Sequence, residues 1–272
     1  MKTNYIQVTV DKASKEQTEM LIAQLSELGF DGFEESEDLL AAFIDEVAFN
    51  EDDVNEIFAF HQLTFTKTVL AQKNWNEEWE KNFEPVMVDD FALIRAAFHK
   101  PVKNVEHEIV ITPKMSFGTG HHATTYMMVQ QMRQIDFKNK SVFDFGTGTG
   151  ILAILAEKLG ALNITAVDND EWSINNSEEN IEENNCNKIQ IQLCESPVLE
   201  QQFDIILANI NKNVILQFIS ILENGLAING HLLVSGLLAE DENDILLTAS
   251  ELGLKHMVTV CRDKWICIHF CN

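Results

Sequence analysis

A glycine-rich turn at residues 144–150, with the sequence DFGTGTG, lies between a predicted strand and a predicted helix. Glycine lets the backbone turn sharply and leaves room for a ligand to approach closely. The next predicted strand ends in Asp168, 22 residues after Gly146. A carboxylate at that point can accept hydrogen bonds from both hydroxyl groups of a ribose. The turn and Asp168 together therefore predict a nucleoside-binding site.

The spacing of the glycines decides between two classes of cofactor. A dinucleotide site requires G-x-G-x-x-G, whereas this turn reads G-x-G-x-G and is followed by Ile151. The turn also lacks a basic neighbour that would attract a pyrophosphate. The pattern favours a nucleoside that carries an amino-acid tail, and nicotinamide binding is the alternative.

Asn209 follows an apolar strand predicted over residues 203–208. In a doubly wound sheet, ligands bind beyond the carboxyl ends of the strands, so we expect Asn209 to lie beside Gly146, Gly148 and Asp168. Its amide has an acceptor and donors that could orient an amine nucleophile or the amino-acid end of the cofactor. The alternative is that Asn209 only caps the following helix.

Glycine, threonine and histidine are concentrated in residues 115–125, with the sequence MSFGTGHHATT, just before a predicted helix. This composition predicts a loop folded over a ligand, with the helix beginning near Thr124. His122 is a candidate catalytic residue, although the chemistry does not require a dedicated base. A capped turn with surface histidines is the alternative. No Ser-His-Asp order, paired carboxylates or metal-ligand pattern competes with this site, and we expect no metal.

The elements that must position these residues follow a regular order from Lys140 onward. Helices alternate with strands that are apolar throughout, which predicts a buried parallel sheet. The last two strands, 256–260 and 265–270, are joined by a turn too short for a parallel crossover, so they predict an antiparallel hairpin. The fold class is therefore α/β, with a doubly wound, mostly parallel sheet and a C-terminal antiparallel hairpin.

The N-terminal part of the chain predicts a second, smaller domain. Its strands and helices follow a β-α-β-β-α-β order, which is typical of a ferredoxin-like α+β domain. Trp75 and Trp79 lie four residues apart in an otherwise polar stretch, as on one face of a short linker helix. We therefore divide the chain into a domain at 1–66, a linker at 67–82 and a larger domain at 83–272, which opens with two or three strands.

The net charge of −24 is unevenly distributed. Residues 1–90 carry 21 acidic and 6 basic side chains, a net of −15, and the remaining residues carry 22 and 13, a net of −9. This field repels phosphate backbones and attracts basic partners, which argues against direct nucleic-acid binding. Solubility alone is the alternative explanation of the charge.

The chain has neither a membrane-spanning pattern nor a secretory one. No apolar run approaches the roughly 20 residues needed to cross a bilayer, and the N-terminus, MKTNYIQVTVDK, has the pattern of a strand rather than of a signal peptide. The five cysteines form no C-x-x-C pair, so we expect reduced thiols. We expect a cytoplasmic protein with no membrane contact.

Several segments, in this order and spacing, together resemble PrmA, a family of methyltransferases that modify the large-subunit ribosomal protein L11. The resemblance covers nearly the whole chain. It rests on Trp75, Trp79 and FEPV at 83–86, on FGTG at 117–120 with His122 and the threonines 124–125, on 144–150 and Asp168, and on Ala208-Asn209-Ile210, Ser235-Gly236 and Trp265.

This resemblance implies a class I methyltransferase domain that uses S-adenosylmethionine, preceded by a small domain that binds the substrate and by a flexible linker. It implies cofactor contacts at Thr125, Gly146, Asp168 and Asn209, to which Gly148 is added from the turn itself. It also implies methylation of lysine ε-amines and of the N-terminal α-amine of a basic ribosomal protein, commonly to the trimethyl state. We expect the enzyme to be a monomer.

Two segments depart from the family pattern. Residues 121–123 read HHA where the family often has Thr, His and Pro, and residues 211–215 read NKNVI where it often has Leu-x-x-Pro-Leu after the asparagine. The second segment should line the pocket for the target amine, so its change bears on site selectivity and on the methylation state. The alternatives are a methyltransferase of the same fold that acts on another amine or amide, and a non-catalytic, ribosome-associated module that binds the cofactor.

Overall fold

The structure is a computed structural model that describes residues 4–11, 13–36, 39–70, 83–102, 105–114, 120–197, 199 and 201–272. The chain divides into two compact units, Met1–Asn82 and Phe83–Asn272. The predicted linker helix with Trp75 and Trp79 lies outside the described residues, as do residues 115–119 of the predicted ligand loop. No helix in the described ranges is long and apolar enough to cross a membrane.

The first unit contains one four-stranded antiparallel sheet and two helices, in the predicted β-α-β-β-α-β order. The strands lie in the order β2-β3-β1-β4. The elements are β1 (Tyr5–Asp11), α1 (Lys15–Glu27), β2 (Gly32–Ser36), β3 (Leu39–Asp45), α2 (Glu51–Phe60) and β4 (Thr66–Leu70).

Alternating burial explains why this unit folds as it does. Ile6, Val8 and Val10 lie on one face of β1 and are at most 2% exposed, and they form a core with side chains from both helices. A capping box begins α1: the Gln17 N–H donates to Ser14 Oγ at 3.3 Å, and the Ser14 N–H donates to Gln17 Oε1 at 3.0 Å. These paired bonds satisfy main-chain donors that the helix cannot satisfy itself.

One expectation for this unit needs correction. The predicted linker began at residue 67, but β4 pairs with β1 as far as Leu70, so residues 67–70 belong to the sheet. Both β2 and β4 are edge strands with mostly exposed side chains, so they lack the apolar alternation that reveals a strand.

The second unit contains two sheets and five α-helices among its described residues. Its first part comprises β5 (Val86–Val88), β6 (Ala92–Ala96), β7 (His107–Ile111), α3 (Ala123–Met132), β8 (Ser141–Phe145), α4 (Ile151–Lys158) and β9 (Asn163–Asp168). Its second part comprises α5 (Glu171–Glu183), β10 (Ile189–Leu193), β11 (Phe203–Asn209), α6 (Lys212–Asn224), β12 (Leu226–Leu238), a 3₁₀ turn (Ala239–Asp241), α7 (Glu242–Glu251), β13 (Lys255–Arg262) and β14 (Trp265–Cys271).

The large sheet has seven strands in the order β10-β9-β8-β11-β12-β14-β13. The first five strands are parallel, and β14 runs antiparallel to both β12 and β13. This confirms the predicted doubly wound α/β sheet with its C-terminal hairpin. Because β8, β9 and β11 are parallel neighbours of one sheet, their carboxyl ends meet at a single edge.

The small sheet, β5-β6-β7, is joined to the rest of this unit by asparagine side chains of α5. Asn184 donates through Nδ2 to Val110 O at 2.6 Å and accepts from the Val110 N–H at 3.0 Å. Asn180 accepts from the Thr112 N–H at 2.7 Å and donates to Thr149 O at 2.8 Å. The polar composition of α5 therefore includes a buried face that satisfies main-chain groups of β7 and of the glycine-rich turn.

Candidate functional site

The glycine-rich turn has a backbone conformation that favours glycine. Gly146, Gly148 and Gly150 have φ angles of 76°, 56° and 81°, in the left-handed region where other residues are strained. The N–H groups of Gly146 and Thr147 both donate to Val167 O, at 2.9 and 3.0 Å. The turn is therefore held against the end of β9, and α4 begins directly after it.

Asp168, the last residue of β9, is fixed by two main-chain donors. The Gly148 N–H donates to its Oδ2 at 2.8 Å, and the Asp170 N–H donates to its Oδ1 at 3.1 Å. A carboxylate oxygen can accept more than one hydrogen bond, so both oxygens keep capacity for a ligand. The predicted proximity of the glycine-rich turn and the acidic strand end is present in the structure.

Asn209 ends β11 with one side-chain atom bonded and the other without a partner. Its Nδ2 donates to Thr125 Oγ1 at 3.3 Å, and Thr125 is only 1% exposed. Its Oδ1 is buried and has no hydrogen-bond partner within the structure described. A buried acceptor without a hydrogen bond lowers the stability of the folded protein, unless a ligand donates a hydrogen bond to it. Thr125 thus holds the Asn209 amide from behind and leaves its oxygen available.

These side chains surround a cleft of about 390 Å³ at the carboxyl edge of the large sheet. That volume falls in the range of small-molecule sites in proteins. The predicted residues that line the cleft are His122, Gly146, Gly148, Asp168 and Asn209. Asn169, Ser173, Ile210, Gly236 and Trp265 also line it, and the sequence reasoning did not select them as site residues. Asn211, which belongs to the segment expected to line the pocket for the target amine, lines the cleft as well.

His122 both caps α3 and lines the cleft. Its Nδ1 accepts from the Thr124 N–H at 3.4 Å and lies 2.8 Å from Thr124 Oγ1, and its ring meets the Trp265 ring edge-on with centroids 4.6 Å apart. Burial, assisted by the positive charge of Lys264, lowers the pKa of His122. A neutral ring that accepts at Nδ1 carries its proton on Nε2, so this arrangement favours hydrogen-bond donation over proton abstraction.

Asp144, the first residue of the glycine-rich motif, is a fully buried carboxyl group behind the turn. The Thr147 hydroxyl donates to its Oδ2 at 2.7 Å. Burial raises the pKa of Asp144 to about 7, and the nearby charge of Asp168 contributes in the same direction. A positive charge brought into the cleft would favour the ionised form of Asp144.

Ile210 fills the space that two glycines leave open. A Cβ on Gly146 would collide with Ile210 Cγ2, and a Cβ on Gly236 would collide with the main-chain carbonyl of Ile210. The Ile210 N–H also donates to Ser235 O at 3.1 Å, which ties the end of β11 to β12. A serine–glycine pair within an apolar strand was the sequence signal for this close approach. No local spacing could have placed Trp265, which enters from the start of β14.

Comparison with known proteins agrees with this geometry. A family model described as "Ribosomal protein L11 methyltransferase (PrmA)" matches residues 4–272. Ribosomal protein L11 methyltransferase from Porphyromonas gingivalis is 38% identical over 260 residues, which cover 93% of this chain and 90% of that protein. The protein of the same name from Bacteroides thetaiotaomicron is 38% identical over 264 residues, 93% of each chain.

A solved structure is similar over the larger part of the chain. The crystal structure of ribosomal protein L11 methylase from Lactobacillus delbrueckii subsp. bulgaricus superposes with a TM-score of 0.65 at 27% sequence identity. The match covers 69% of this chain and 98% of that one.

Proposed function

Because this chain belongs to the ribosomal protein L11 methyltransferase (PrmA) family, we propose that it transfers methyl groups from S-adenosylmethionine to amines of ribosomal protein L11. The enzyme is an S-adenosylmethionine-dependent methyltransferase of class I fold. We take the acceptors to be lysine ε-amines and the N-terminal α-amine, as the family resemblance implies.

One observation carries the proposal: a glycine-rich turn, a fixed carboxylate and an unpartnered amide oxygen converge on one cleft. Gly148 and Asp168 are joined by a 2.8 Å hydrogen bond, and Asn209 Oδ1, which lines the same cleft, is buried with no partner among the described residues. A nucleoside with an amino-acid tail presents ribose hydroxyls to a carboxylate and needs a close approach to the backbone. The residues present fit that cofactor.

Each predicted cofactor residue has a role that its surroundings support. Asp168 would accept hydrogen bonds from the ribose hydroxyls, and Gly146 and Gly148 would leave room for the cofactor against the backbone. Thr125 would act through Asn209, whose Nδ2 it holds. When bound, the cofactor supplies an electrophilic methyl group on a positively charged sulfonium. That charge favours the ionised form of the Asp144 carboxyl group behind the turn.

The acceptor amine must be neutral to react. A lysine amine has an ordinary pKa near 10.4, and transfer into a buried cleft lowers it because desolvation penalises the charged form. Asn209 Oδ1 is suited to accept an N–H of the amine and so to direct its lone pair. The ring of His122 lines the same cleft and would bound the space in which the amine lies. Positioning of this kind supplies much of the rate in reactions between bound groups.

Charge, as well as family membership, supports a basic ribosomal protein as the substrate. The net −15 of residues 1–90 suits a basic ribosomal protein, since opposite charge speeds encounter. We assign substrate binding to the N-terminal domain, which includes β4 and so extends to Leu70, and catalysis to the domain at 83–272. The same field disfavours nucleic acid as a direct partner. We infer a monomeric enzyme that acts in the cytoplasm.

The altered segment 211–215 is placed to modify site selectivity. Asn211 lines the cleft and caps α6 by accepting from the Val214 N–H at 3.2 Å. Lys212 forms ion pairs with Asp241 at 3.0 Å and with Asp244 at 2.6 Å. The start of α6 is thus fixed by polar contacts, where the family often has a Leu-x-x-Pro-Leu segment. We infer that this chain has its own preference among the target amines.

The decisive experiment incubates the purified protein with isotopically labelled S-adenosylmethionine and L11, and maps the added methyl groups by mass spectrometry. The expected result is incorporation of one to three methyl groups at defined amines of L11. Methyl transfer to other amine or amide substrates but not to L11 would overturn the substrate assignment. Cofactor binding without turnover on any ribosomal protein would overturn the enzymatic one.

A further inference from the structure

Two large apolar side chains are exposed at the edge of the sheet where the cleft opens. Trp172, in the first turn of α5, is 79% exposed, and Leu193, the last residue of β10, is 57% exposed. Leu193 is paired in register with Asp168, and the residue after Trp172, Ser173, lines the cleft. Both apolar side chains therefore lie beside the cofactor-binding end of the cleft.

The surface around these two side chains is acidic. Asp170, Glu171 and Glu195 flank them in sequence and are exposed. Helix α5 contains no lysine or arginine, and its outward face continues with four further glutamates, Glu178, Glu179, Glu182 and Glu183. One of these, Glu179, is paired with Lys114 at 2.6 Å.

We propose that Trp172 and Leu193 form a docking surface on the catalytic unit for a basic segment of the protein substrate. This inference rests on the proposed function and deepens it, because it places a substrate contact outside the N-terminal domain. Tryptophan combines a large apolar area with a ring face that attracts lysine and arginine cations, and it is among the residues most often found to dominate binding energy.

Charge complementarity favours a basic segment of the substrate over other binding partners. An anionic membrane or a nucleic-acid backbone would be repelled by the carboxylates around Trp172. A second copy of this chain would bring a net charge of −24 against the same surface. A lysine-rich segment of the substrate meets attraction from the carboxylates and apolar contact from the two side chains. Such a contact would bring a neighbouring lysine to the mouth of the cleft.

The test compares Trp172→Ala with a matched control, Ile228→Ala. Ile228 is 84% exposed and lies in the first part of β12, near the amino-terminal ends of the strands, where Leu226 pairs with Phe203. The measurements are kcat and KM for methylation of L11 at saturating cofactor, the Kd of L11 by calorimetry without turnover, and the Kd of S-adenosylmethionine. Melting temperature reports whether each variant is folded.

The expected result is a roughly tenfold rise in both KM and Kd for L11 in Trp172→Ala. Alanine substitution of a tryptophan that contributes to a protein interface weakens binding by about this much. Leu193→Ala should show a smaller rise, and Ile228→Ala should stay within about twofold of the wild type. The Kd of S-adenosylmethionine should stay within about twofold in all three variants.

Two results would overturn the docking surface. One is a Kd for L11 in Trp172→Ala that equals that of Ile228→Ala. The other is a weakened Kd for S-adenosylmethionine that accounts for the whole loss, which would assign Trp172 to the cofactor site. A wild-type protein that binds L11 through Trp172 but never methylates it would overturn the proposed function and leave the docking surface standing. A wild-type protein that does not bind L11 would overturn both.

Discussion

The main-chain N–H of Gly148 donates to Oδ2 of Asp168 at 2.8 Å, across 20 positions of sequence. This bond joins the turn after β8 to the end of β9, so the orientation of the carboxylate is fixed by the protein's own main chain. Preorganised binding groups lose less entropy when a ligand arrives. The site is therefore best tested by changes that alter this junction and leave the surrounding sheet intact.

Asp168→Ala should weaken binding of S-adenosylmethionine by roughly 1–3 kcal/mol, because it removes a charged acceptor for the ribose hydroxyls and the partner of Gly148. Calorimetric titration with the cofactor measures the change. Asp170→Ala is the matched control, since its carboxylate caps α5 by accepting from the Ser173 N–H at 2.9 Å. That variant should lose stability and keep its cofactor affinity; equal affinities in Asp168→Ala and the wild type would contradict the ribose assignment.

Gly146→Ala should lower stability and cofactor affinity far more than Gly253→Ala, although both glycines have positive φ angles, 76° and 88°. A Cβ on Gly253 meets no atom within 4 Å, so only the left-handed strain of about 1–2 kcal/mol is expected. A Cβ on Gly146 collides with Ile210 as well, and we expect at least a tenfold loss of cofactor affinity. Urea denaturation and cofactor titration measure the two effects.

A double variant separates strain from collision at this position. Gly146→Ala combined with Ile210→Ala should recover part of the lost affinity, because the shorter side chain leaves space for the new methyl group. No recovery in the double variant would indicate that the backbone conformation alone requires glycine there.

Asp144→Asn should change how stability depends on pH. The pKa of Asp144 is raised to about 7 in the folded protein by burial, so the folded state binds more protons than the unfolded state between about pH 4 and pH 7. The free energy of unfolding of the wild type should therefore fall, relative to that of the asparagine variant, as pH rises through this window, and level off above it. The expected difference between pH 5 and pH 8 is roughly 2–3 kcal/mol.

Urea denaturation of both proteins at each pH checks this prediction. Repulsion from the large net negative charge also grows with pH, but it is common to both proteins and cancels in the comparison. Parallel curves for the two proteins would show that Asp144 keeps the same protonation state throughout.

His122→Asn should separate the two roles of this residue. Asparagine is a favoured N-cap, so α3 should keep its cap and the melting temperature should barely change. The loss of the ring should lower kcat/KM for L11 by up to about tenfold, because the ring bounds the space in which the amine is positioned.

The pH profile of that variant identifies the kind of role. Because Nδ1 of His122 is engaged by Thr124, we expect the rise of kcat/KM with pH to persist in the variant, with the amine itself as the titrating group. Loss of that rise in His122→Asn would instead identify the imidazole as the proton acceptor.

Association with L11 should slow as salt is added, because the acidic N-terminal region attracts a basic partner over distances that salt screens. Stopped-flow measurement should give an on-rate that falls about tenfold or more from low to high ionic strength. Glu34→Gln combined with Glu35→Gln, both at exposed positions of β2, should reduce that salt dependence. An on-rate independent of salt would remove electrostatic steering from the substrate assignment.

The residues at the centre of the site can be predicted from the sequence because each is marked by the pattern of the residues just before it. The turn at 144–150, Asp168 and Asn209 each follow a buried apolar strand, and parallel topology then brings them to one edge. Trp265 could not be selected in this way, since it reaches the cleft only through the antiparallel hairpin at the end of the chain. Similarly, the role of Thr125 as a support for Asn209 depends on a contact across 84 positions.

The limits of sequence-based prediction elsewhere in the chain have another cause. Strand β4 lies at a sheet edge and exposes most of its side chains, so no apolar alternation marks its end at Leu70. Helix α5 is mostly polar in sequence, yet several of its polar side chains are buried: Asn180 binds the Thr149 carbonyl and Ser177 packs beside Gly150. Hydrophobic periodicity cannot report a face that is buried through hydrogen bonds.

The side chain of Asn180 makes two hydrogen bonds, one with the N–H of Thr112, just after β7, and one with the carbonyl of Thr149, in the glycine-rich turn. These bonds link β7 to the turn that precedes α4. Thermal opening of the small sheet would break the first bond and leave the amide oxygen unsatisfied in the interior. The small sheet and the nucleoside pocket should consequently melt as one cooperative unit, so that protection of β7 amides from hydrogen exchange reports the integrity of the pocket without any ligand.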